Sequence, residues 1–540
     1  MKRCPTCLRD YYDDSLSFCL DDGTPLATGV PTHNYTVREA ATEVLPMSGW
    51  PDRSQRPALR NEPDLQTITM SGYLPNSIAV LPFAHLSSDP DDEYFCDGLA
   101  EELINALSRV EHLKVVARSS AFSFKGKHVD VGQVGSILNV GNVVEGSVRK
   151  SGDRMRISVQ LINTADGYNI WSAKYDTEFR DIFDVQDEIT VSVVNALKSK
   201  LLNQPVKTPD REERMTLLLD ELKQHVHEVD AYQLYLRGRF LFSKFNEQDL
   251  YRALDCYKKA LEIDPKFAEA YSGIADVYMW LTELGPLAPL EGMPMAREAA
   301  LKAIALDPDL SEAHTSLGIV LQEFDYDFCG AEQEYRRAIA LNPNNALAHQ
   351  IYGALLAQLG RFSEAESRFQ SSLALDPVSP MGSWIYPFGL FLERRYDDTI
   401  ERSNKLLELD SNFAAAHLVM SFAYQMKGDL NASMESYCRF LEIFGLTEIA
   451  VDARSGFTAG GWHGFLKAMT APKVRQSVTA YISAVFFAAL GESDSAIECL
   501  EESFQKREGH IVMLNVDPRF DELRSDPRFR RIVETVGFPA

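Results

Sequence analysis

Three of the eight cysteines in this 540-residue chain crowd into its first nineteen positions, as Cys4-Pro5-Thr6-Cys7 and Cys19. A C-x₂-C pair with a further cysteine on a second tight turn is the spacing that holds a tetrahedral zinc ion. The second turn runs Cys19-Leu20-Asp21-Asp22-Gly23, so Asp22 stands where a fourth cysteine is expected. Carboxylate oxygen reaches zinc at about the radius of imidazole nitrogen, which makes Asp22 the expected fourth ligand, with His33 or water as alternatives. A segment this short has almost no core, so the expected zinc is structural and its folding metal-dependent. The plainer alternative is an unmetallated head with idle thiols. Asp10, Asp13, Asp14, Asp21 and Asp22 repel phosphate, so a protein-facing or purely structural role is expected over nucleic-acid contact.

The other chemistry-bearing pattern is acidic. Asp89, Asp91, Asp92, Glu93, Asp97, Glu101 and Glu102 fall within fourteen positions. Such a cluster could hold a divalent metal, but the plainer reading is carboxylates favouring the positive N-terminal end of a following helix. Lys125-Gly126-Lys127 lacks the G-x-x-x-x-G-K-[ST] string that cradles phosphates, and neither G-x-G-x-x-G nor G-x-S-x-G occurs between a strand and a helix. His85, His112 and His128 stand alone. No catalytic or cofactor-binding residue is expected.

Composition agrees with a soluble, multidomain chain: 45% hydrophobic, 24% charged and a formal net charge of −24. An acidic surface disfavours broad binding to nucleic acid or anionic membrane. The longest near-apolar run, Ala480 to Leu490, is far shorter than the roughly 20 residues a membrane span needs. Met1-Lys2-Arg3 leads directly into Cys4 without the apolar stretch of a signal peptide, so a cytoplasmic location is expected. The five scattered cysteines, Cys96, Cys256, Cys329, Cys438 and Cys499, are expected as small buried hydrophobes.

Five boundaries divide the chain. Residues 1–26 form the cysteine knuckle and resemble the short zinc ribbons that open many bacterial signalling proteins, with Asp22 as the departure. Residues 27–75, punctuated by Pro31, Pro46, Pro51, Pro57, Pro63 and Pro75, are expected as a flexible tether. Residues 76–203 pattern as an α/β domain. Strands are expected over 77–83, 113–117, 143–149, 154–162 and 168–175, and helices over 98–110, 129–138 and 182–201. Met155, Ile157, Val159 and Leu161 alternate with Arg156, Ser158 and Gln160, the signature of a sheet covered on one face. Residues 204–226 connect this domain to the helical remainder.

Several strings of the α/β domain resemble the TolB-like amino-terminal domain family: Ser77-Ile78-Ala79-Val80-Leu81-Pro82-Phe83, Glu93 to Leu103, Val144-Glu145-Gly146-Ser147-Val148-Arg149, Leu161-Ile162-Asn163 and Ile170 to Asp176. Cys96 departs from the small residue expected there. The resemblance implies a regulatory or interaction module, commonly placed before tetratricopeptide (TPR) repeats, and assigns no catalytic residue.

Repeats organise residues 227–445. Leu261-Glu262-Ile263-Asp264-Pro265 recurs as Ile304 to Pro308, Ile339 to Pro343 and Leu373 to Pro377, and without proline as Leu407 to Ser411. Steps near 34 with a terminal proline are the TPR signature: helix pairs that bury their apolar faces only by stacking into a superhelical solenoid. Tyr352-Gly353 marks a close approach on helix A, while Tyr335, Ala338, Phe369 and Leu373 pack helix B. The long first step, 43 residues, predicts a projecting loop over 284–295. Residues 446–540 are expected as degenerate repeats and a cap, the duplication Asp517-Pro518-Arg519-Phe520 and Asp526-Pro527-Arg528-Phe529 belonging to the cap.

The fold class is therefore a small zinc ribbon, an α/β domain and an all-α TPR solenoid. The expected function is a non-catalytic protein–protein interaction scaffold in bacterial signalling, binding a protein or peptide in the concave groove. Two alternatives stand beside it: a transcription-associated regulator whose zinc knuckle touches DNA, and a nucleotide-acting enzyme using the acidic cluster near Asp97. No individual groove residue is nominated, and the oligomeric state is not legible.

Overall fold

A computed structural model describes residues 76–86, 93–110, 112–127, 129–151, 154–178, 229–379 and 384–539, scattered positions between 185 and 196, and six residues near the N-terminus. It divides into two compact units, residues 1–70 and 71–540. In the first, β1 (Lys2–Arg3), β2 (Asp10–Tyr11) and β3 (Ala27–Thr28) pair antiparallel in the order β2-β1-β3. Cys4, Cys7, Cys19 and Asp22 lie outside the described residues, as does the expected tether apart from Ala27–Thr28.

The second unit begins with a sheet ordered β6-β4-β7-β8-β9. β4 (Ser77–Val80) runs parallel to β6 (Lys114–Val115) and β7 (Asn142–Ser151), while β7, β8 (Arg154–Asn163) and β9 (Asn169–Glu178) form an antiparallel meander. β5 (Ala84–His85) adds a short parallel pairing to β7. β4 stops three residues earlier than expected, just before Leu81-Pro82, because proline cannot donate to a ladder. Helix α1 (Glu93–Ser108) packs on the sheet through Leu99, Leu103 and Leu107, all almost fully buried. It starts five residues before the expected Gly98. A short helix that sequence patterning did not reveal, α2 (Arg118–Phe122), follows β6. Helix α3 (Val131–Leu138) is capped by Asp130, whose side chain accepts from the Gly132 N–H, and ends at left-handed Asn139.

Helix pairs then succeed one another. The first repeat is α4 (Val229–Phe242) and α5 (Glu247–Ile263), the second α6 (Ala268–Glu283) and α7 (Pro289–Leu306). The third is α8 (Ser311–Val320) and α9 (Phe328–Leu341), the fourth α10 (Ala346–Gln358) and α11 (Phe362–Leu375). The fifth and sixth are α12 (Ile385–Leu392) with α13 (Tyr396–Leu409) and α14 (Ala414–Lys427) with α15 (Leu430–Ile443). One aromatic side chain on helix B locks each of the better-formed pairs. The ring of Tyr257 fills notches left by Gly238 and Gly273, so a Cβ at either would sit 2.4 or 2.7 Å from it. Tyr335 does the same at Gly318, and Phe369 at both Gly353 and Gly389. The glycines bring helix A of one repeat, helix B and helix A of the next against a common buried ring.

Departures from the 34-residue step have local explanations. The second repeat does not project the loop expected over 284–295. Instead α6 and α7 hold 16 and 18 residues where α10 and α11 hold 13 and 14, and only residues 284–288 form the turn. Pro289 opens α7 at a position where its missing N–H is harmless. The step of 35 residues between Pro308 and Pro343 places its extra residue in a π-helical turn, Leu321–Asp325, that extends α8. Single-residue insertions are absorbed in this way and re-aim the side chains they carry.

After residue 445 come α16 (Thr447–Met469), α17 (Pro472–Arg475), α18 (Ala480–Leu490), α19 (Ser493–Gln505), two 3₁₀ segments and α20 (Pro527–Val536). Non-helical Gly460 and Gly461 interrupt α16, and the two parts meet backbone to backbone at Gly456 and Gly464. Both Asp-Pro-Arg-Phe strings start helices alike: the aspartate side chain accepts from the arginine N–H, proline follows at the first position, and Phe520 and Phe529 are buried. Of the scattered cysteines four are buried, but Cys329 is exposed. No helix among the described residues is long and apolar enough to cross a membrane.

Replacing glycine by alanine within a helix ordinarily stabilises it by about 1 kcal/mol. At Gly353 the sign should reverse, because the new methyl would lie 2.7 Å from the Phe369 ring. Denaturant unfolding of Gly353→Ala should show a loss of about 1–3 kcal/mol; unchanged or raised stability would refute the notch.

Candidate functional site

Helices α4, α6, α8, α10, α12 and α14 face a common groove whose cavity measures about 480 Å³. The α/β domain supplies one wall through Glu101, Ser108 and Arg118, and the C-terminal segment supplies another through His510, Met513 and Arg519. The inner surface is therefore not the bare solenoid face expected from the repeats alone.

Three contacts hold the α/β domain against the repeats. In the turn after α9, the Asn344 side chain accepts from the Val115 N–H at 3.0 Å and donates to the carbonyls of Ser108 and Leu113, both at 3.0 Å. The second contact diverts a repeat motif. At Asp264, Asp307, Asn342 and Asp410, each just before the repeat's proline or its substitute, a side-chain oxygen accepts from the backbone N–H two residues on, an Asx-turn. Asp376 occupies the equivalent place but accepts from the Ser119 and Ser120 hydroxyls, both at 2.5 Å. The Ser120 oxygen takes the Val378 N–H at 3.0 Å instead. A serine of the α/β domain is thus inserted into the Asx-turn, and the buried carboxylate keeps its hydrogen bonds.

Third, Glu101 on α1 is buried between two arginines: Arg118 of α2 at 2.9 Å and Arg239 of α4, whose Nε donates at 2.9 Å. Burial alone would raise the Glu101 pKa, but the Arg239 and Arg118 charges outweigh it and hold the group below the ordinary carboxylate range. Nearby, Asp97 is buried against Lys125 at 2.6 Å, and burial raises its pKa in spite of that partner. This narrows the expectation that the acidic cluster serves a helix N-terminus, where Glu93 does stand, in the first turn of α1. α1 begins at Glu93, so Asp97 and Glu101 lie beyond its first turn and act through ion pairs instead. Asp89, Asp91 and Asp92 lie outside the described residues. Among the described residues no group of three or more His, Cys, Asp or Glu side chains could hold a metal.

The π turn after α8 sets the groove's middle. Gln322, almost fully buried, accepts from the Tyr335 hydroxyl and donates to Gln358 Oε1, both at 2.7 Å. Adjacent Glu323 is half-buried on the wall, and burial together with the Glu283 charge pushes its carboxyl up to about 8. Burial likewise raises Asp276 to about 6, although Ser316 donates to it at 2.7 Å. At the far end, the Arg519 guanidinium lies 4.1 Å over the Phe422 ring and forks onto Asp517, which also accepts from the Tyr481 hydroxyl at 2.8 Å. The Asp-Pro-Arg-Phe duplication was expected only as a cap; its first copy also lines the groove. Sequence patterning could not nominate these residues, although Asn344 after Pro343 and the extra residue in the 35-residue step were visible signals.

Helix pairs with this packing, at this period, define a solenoid of the TPR class in the C-terminal part of the chain. Residues 245–280 match a model described as TPR repeat, and residues 334–367 one described as tetratricopeptide repeat. Residues 74–193 match the model described as HilA/YgeH-like transcriptional regulator, second domain, which makes the α/β domain HilA-like. A protein of Rhizobium meliloti named putative adenylate cyclase 3 is 37% identical over 247 residues, 45% of this chain and 40% of that protein. The transcriptional regulator HilA of Salmonella typhimurium is 24% identical over 140 residues, 26% of this chain and 25% of HilA. The chain thus spans well under two thirds of the length of these relatives. Among solved structures, PilW, a type IV pilus biogenesis factor, is 20% identical with a TM-score of 0.32, covering 39% of this chain and 94% of PilW.

A carboxyl raised to about 8 in the folded chain keeps its proton where the unfolded chain, titrating near 4.5, has released it. Glu323 therefore contributes stability that is present at low pH and lost as pH rises through about 4.5 to 8. Burial and the charges of Glu101 and Glu269 raise Glu102 likewise, so it acts in the same direction. Thermal unfolding midpoints should fall across that window, and Glu323→Gln should reduce the fall, with its largest gain at the alkaline end. A variant that tracks the parent chain throughout would refute the raised carboxyl.

Proposed function

We propose that the chain is a non-catalytic interaction scaffold that holds a protein partner in the TPR groove. The observation that carries this reading is the row of A helices presenting one continuous inner surface, on which Leu347 of α10 remains 43% exposed. Such a concave, largely apolar surface with a few polar groups is the kind that a bound chain covers. Arg118, Arg239 and Arg519 are held in internal ion pairs rather than poised for catalysis, which supports a scaffold over an enzyme. The α/β domain, bolted to the repeats at Asn344, Asp376 and Glu101, serves in this reading as the regulatory module that its TolB-like strings imply. A role beside transcription is the second reading, favoured by the HilA-like match over residues 74–193. Cytoplasmic location belongs to the same proposal.

A photo-crosslinking amino acid placed at Leu347 should give protein adducts in cells producing the full chain. The same group at Lys405, exposed on the outer helix α13, should give few. Equal adducts from both positions would refute the groove reading.

Zinc at Cys4, Cys7, Cys19 and Asp22 enters the proposal as a structural ion, supported by the ligand spacing. Elemental analysis of the purified chain should give one zinc per chain, and paired Cys4→Ser and Cys7→Ser replacement should abolish it. Retention of the full metal content in that variant would dismiss the site.

A further inference from the structure

The groove's charges are unevenly satisfied. Its three arginines are neutralised within the fold, Arg118 and Arg239 by Glu101 and Arg519 by Asp517. By contrast Glu283, Glu312 and Glu323 line the same groove, and among the described residues no cation pairs with any of them. Glu283 lies one turn beyond Trp280 on α6, so carboxylate and indole share a helix face. The Trp280 ring meets Phe245 edge-on with centroids 5.0 Å apart. A carboxylate beside an aromatic face is the pairing that attracts ammonium and guanidinium groups.

A second, independent observation concerns donors. Gln358 is only 8% exposed and its Oε1 accepts from Gln322 Nε2, while its own Nε2 has no acceptor among the described residues. The Arg519 side chain is 1% exposed, and its Nη1 is likewise without an acceptor. Both side chains line the groove. A buried donor without a partner, as at Arg519 Nη1, is costly, and a carbonyl oxygen of an extended backbone would satisfy it.

We propose that the groove takes an extended peptide segment bearing lysine or arginine, its cations seated at Glu283, Glu312 and Glu323 against Trp280, and its carbonyls accepting from Gln358 Nε2 and Arg519 Nη1. This rests on the groove reading and adds the chemistry of the occupant. Raised as it is by burial and Glu283, the Glu323 carboxyl lacks the counter-charge that such a guest supplies.

The test uses the full chain and two fluorescein-labelled hexapeptides, one alternating lysine with leucine and the other glutamate with leucine, read by fluorescence anisotropy. The lysine peptide should bind and the glutamate peptide should not. Glu283→Gln/Glu312→Gln/Glu323→Gln should weaken lysine-peptide binding at least about tenfold, a change typical for lost charge-assisted contacts. Glu262→Gln/Glu408→Gln/Glu498→Gln, on exposed outer positions, removes the same number of carboxyl groups and should leave binding within about twofold. Neutralising repelling carboxylates does not threaten folding, and unchanged thermal midpoints verify this. Equal weakening by both triple variants overturns the proposal, since attraction would then come from the overall acidic surface. Preference for the glutamate peptide overturns it as well, and so does failure of both peptides to bind. In those last two cases Leu347 adducts decide whether the groove reading survives alone.

Discussion

An aromatic ring seated in a glycine notch is the contact on which the C-terminal part of this molecule depends. Tyr257, Tyr335 and Phe369 each occupy space that any side chain on the facing helix would claim. Because the ring meets backbone rather than side chains, helix A of one repeat and helix A of the next are drawn to a short, repeatable spacing. Repetition of a fixed small rotation turns a stack of helix pairs into a superhelix, and an inner surface made of A helices follows. The insertions obey the same constraint. The second repeat lengthens its helices and the third absorbs one residue in a π turn, while the rings at Tyr257 and Tyr335 stay in their notches.

The inter-repeat turns carry a second role. An Asp or Asn closing each turn on itself is a local device, and four of the five repeated positions use it so. At Asp376 the same side chain is redirected to two serines of the α/β domain, with Ser120 standing in for the turn's own backbone donor. Docking therefore costs the turn little, because every polar group exchanged finds a replacement. The core is continuous across this junction, running from Ile78 and Leu99 through Leu236 to Tyr257. Gly98 on α1 admits Leu236 of α4, so the two parts interlock before any ion pair is counted.

Electrostatically the groove divides its charges. The groove's arginines are paired with carboxylates and serve cohesion, whereas among the described residues no cation pairs with Glu283, Glu312 or Glu323, on a chain that already carries a net charge of −24. Burial, and after it the Glu283 charge, raises the pKa of Glu323. Such an arrangement is tolerated where flexible solvent or a guest can supply what the fold withholds.

The repeat period, the glycine at Gly353 and the alternation on β8 were all legible in the chain, since each reflects interactions between residues near in sequence. The longer α/β strands were legible for the same reason, and β5 and α2 were not, because two and five residues show too little periodicity. What only the tertiary structure decided is where side chains meet across long separations. Asp97 and Glu101 look like helix-end carboxylates until Lys125, Arg118 and Arg239 arrive beside them. Asp376 is indistinguishable from Asp307 until Ser119 and Ser120 approach. The groove's composition is likewise a product of distant segments, since the α/β domain and the Arg519 segment both wall it. Local pattern encodes which surfaces must be buried, and only the stacked tertiary structure determines which partners bury them.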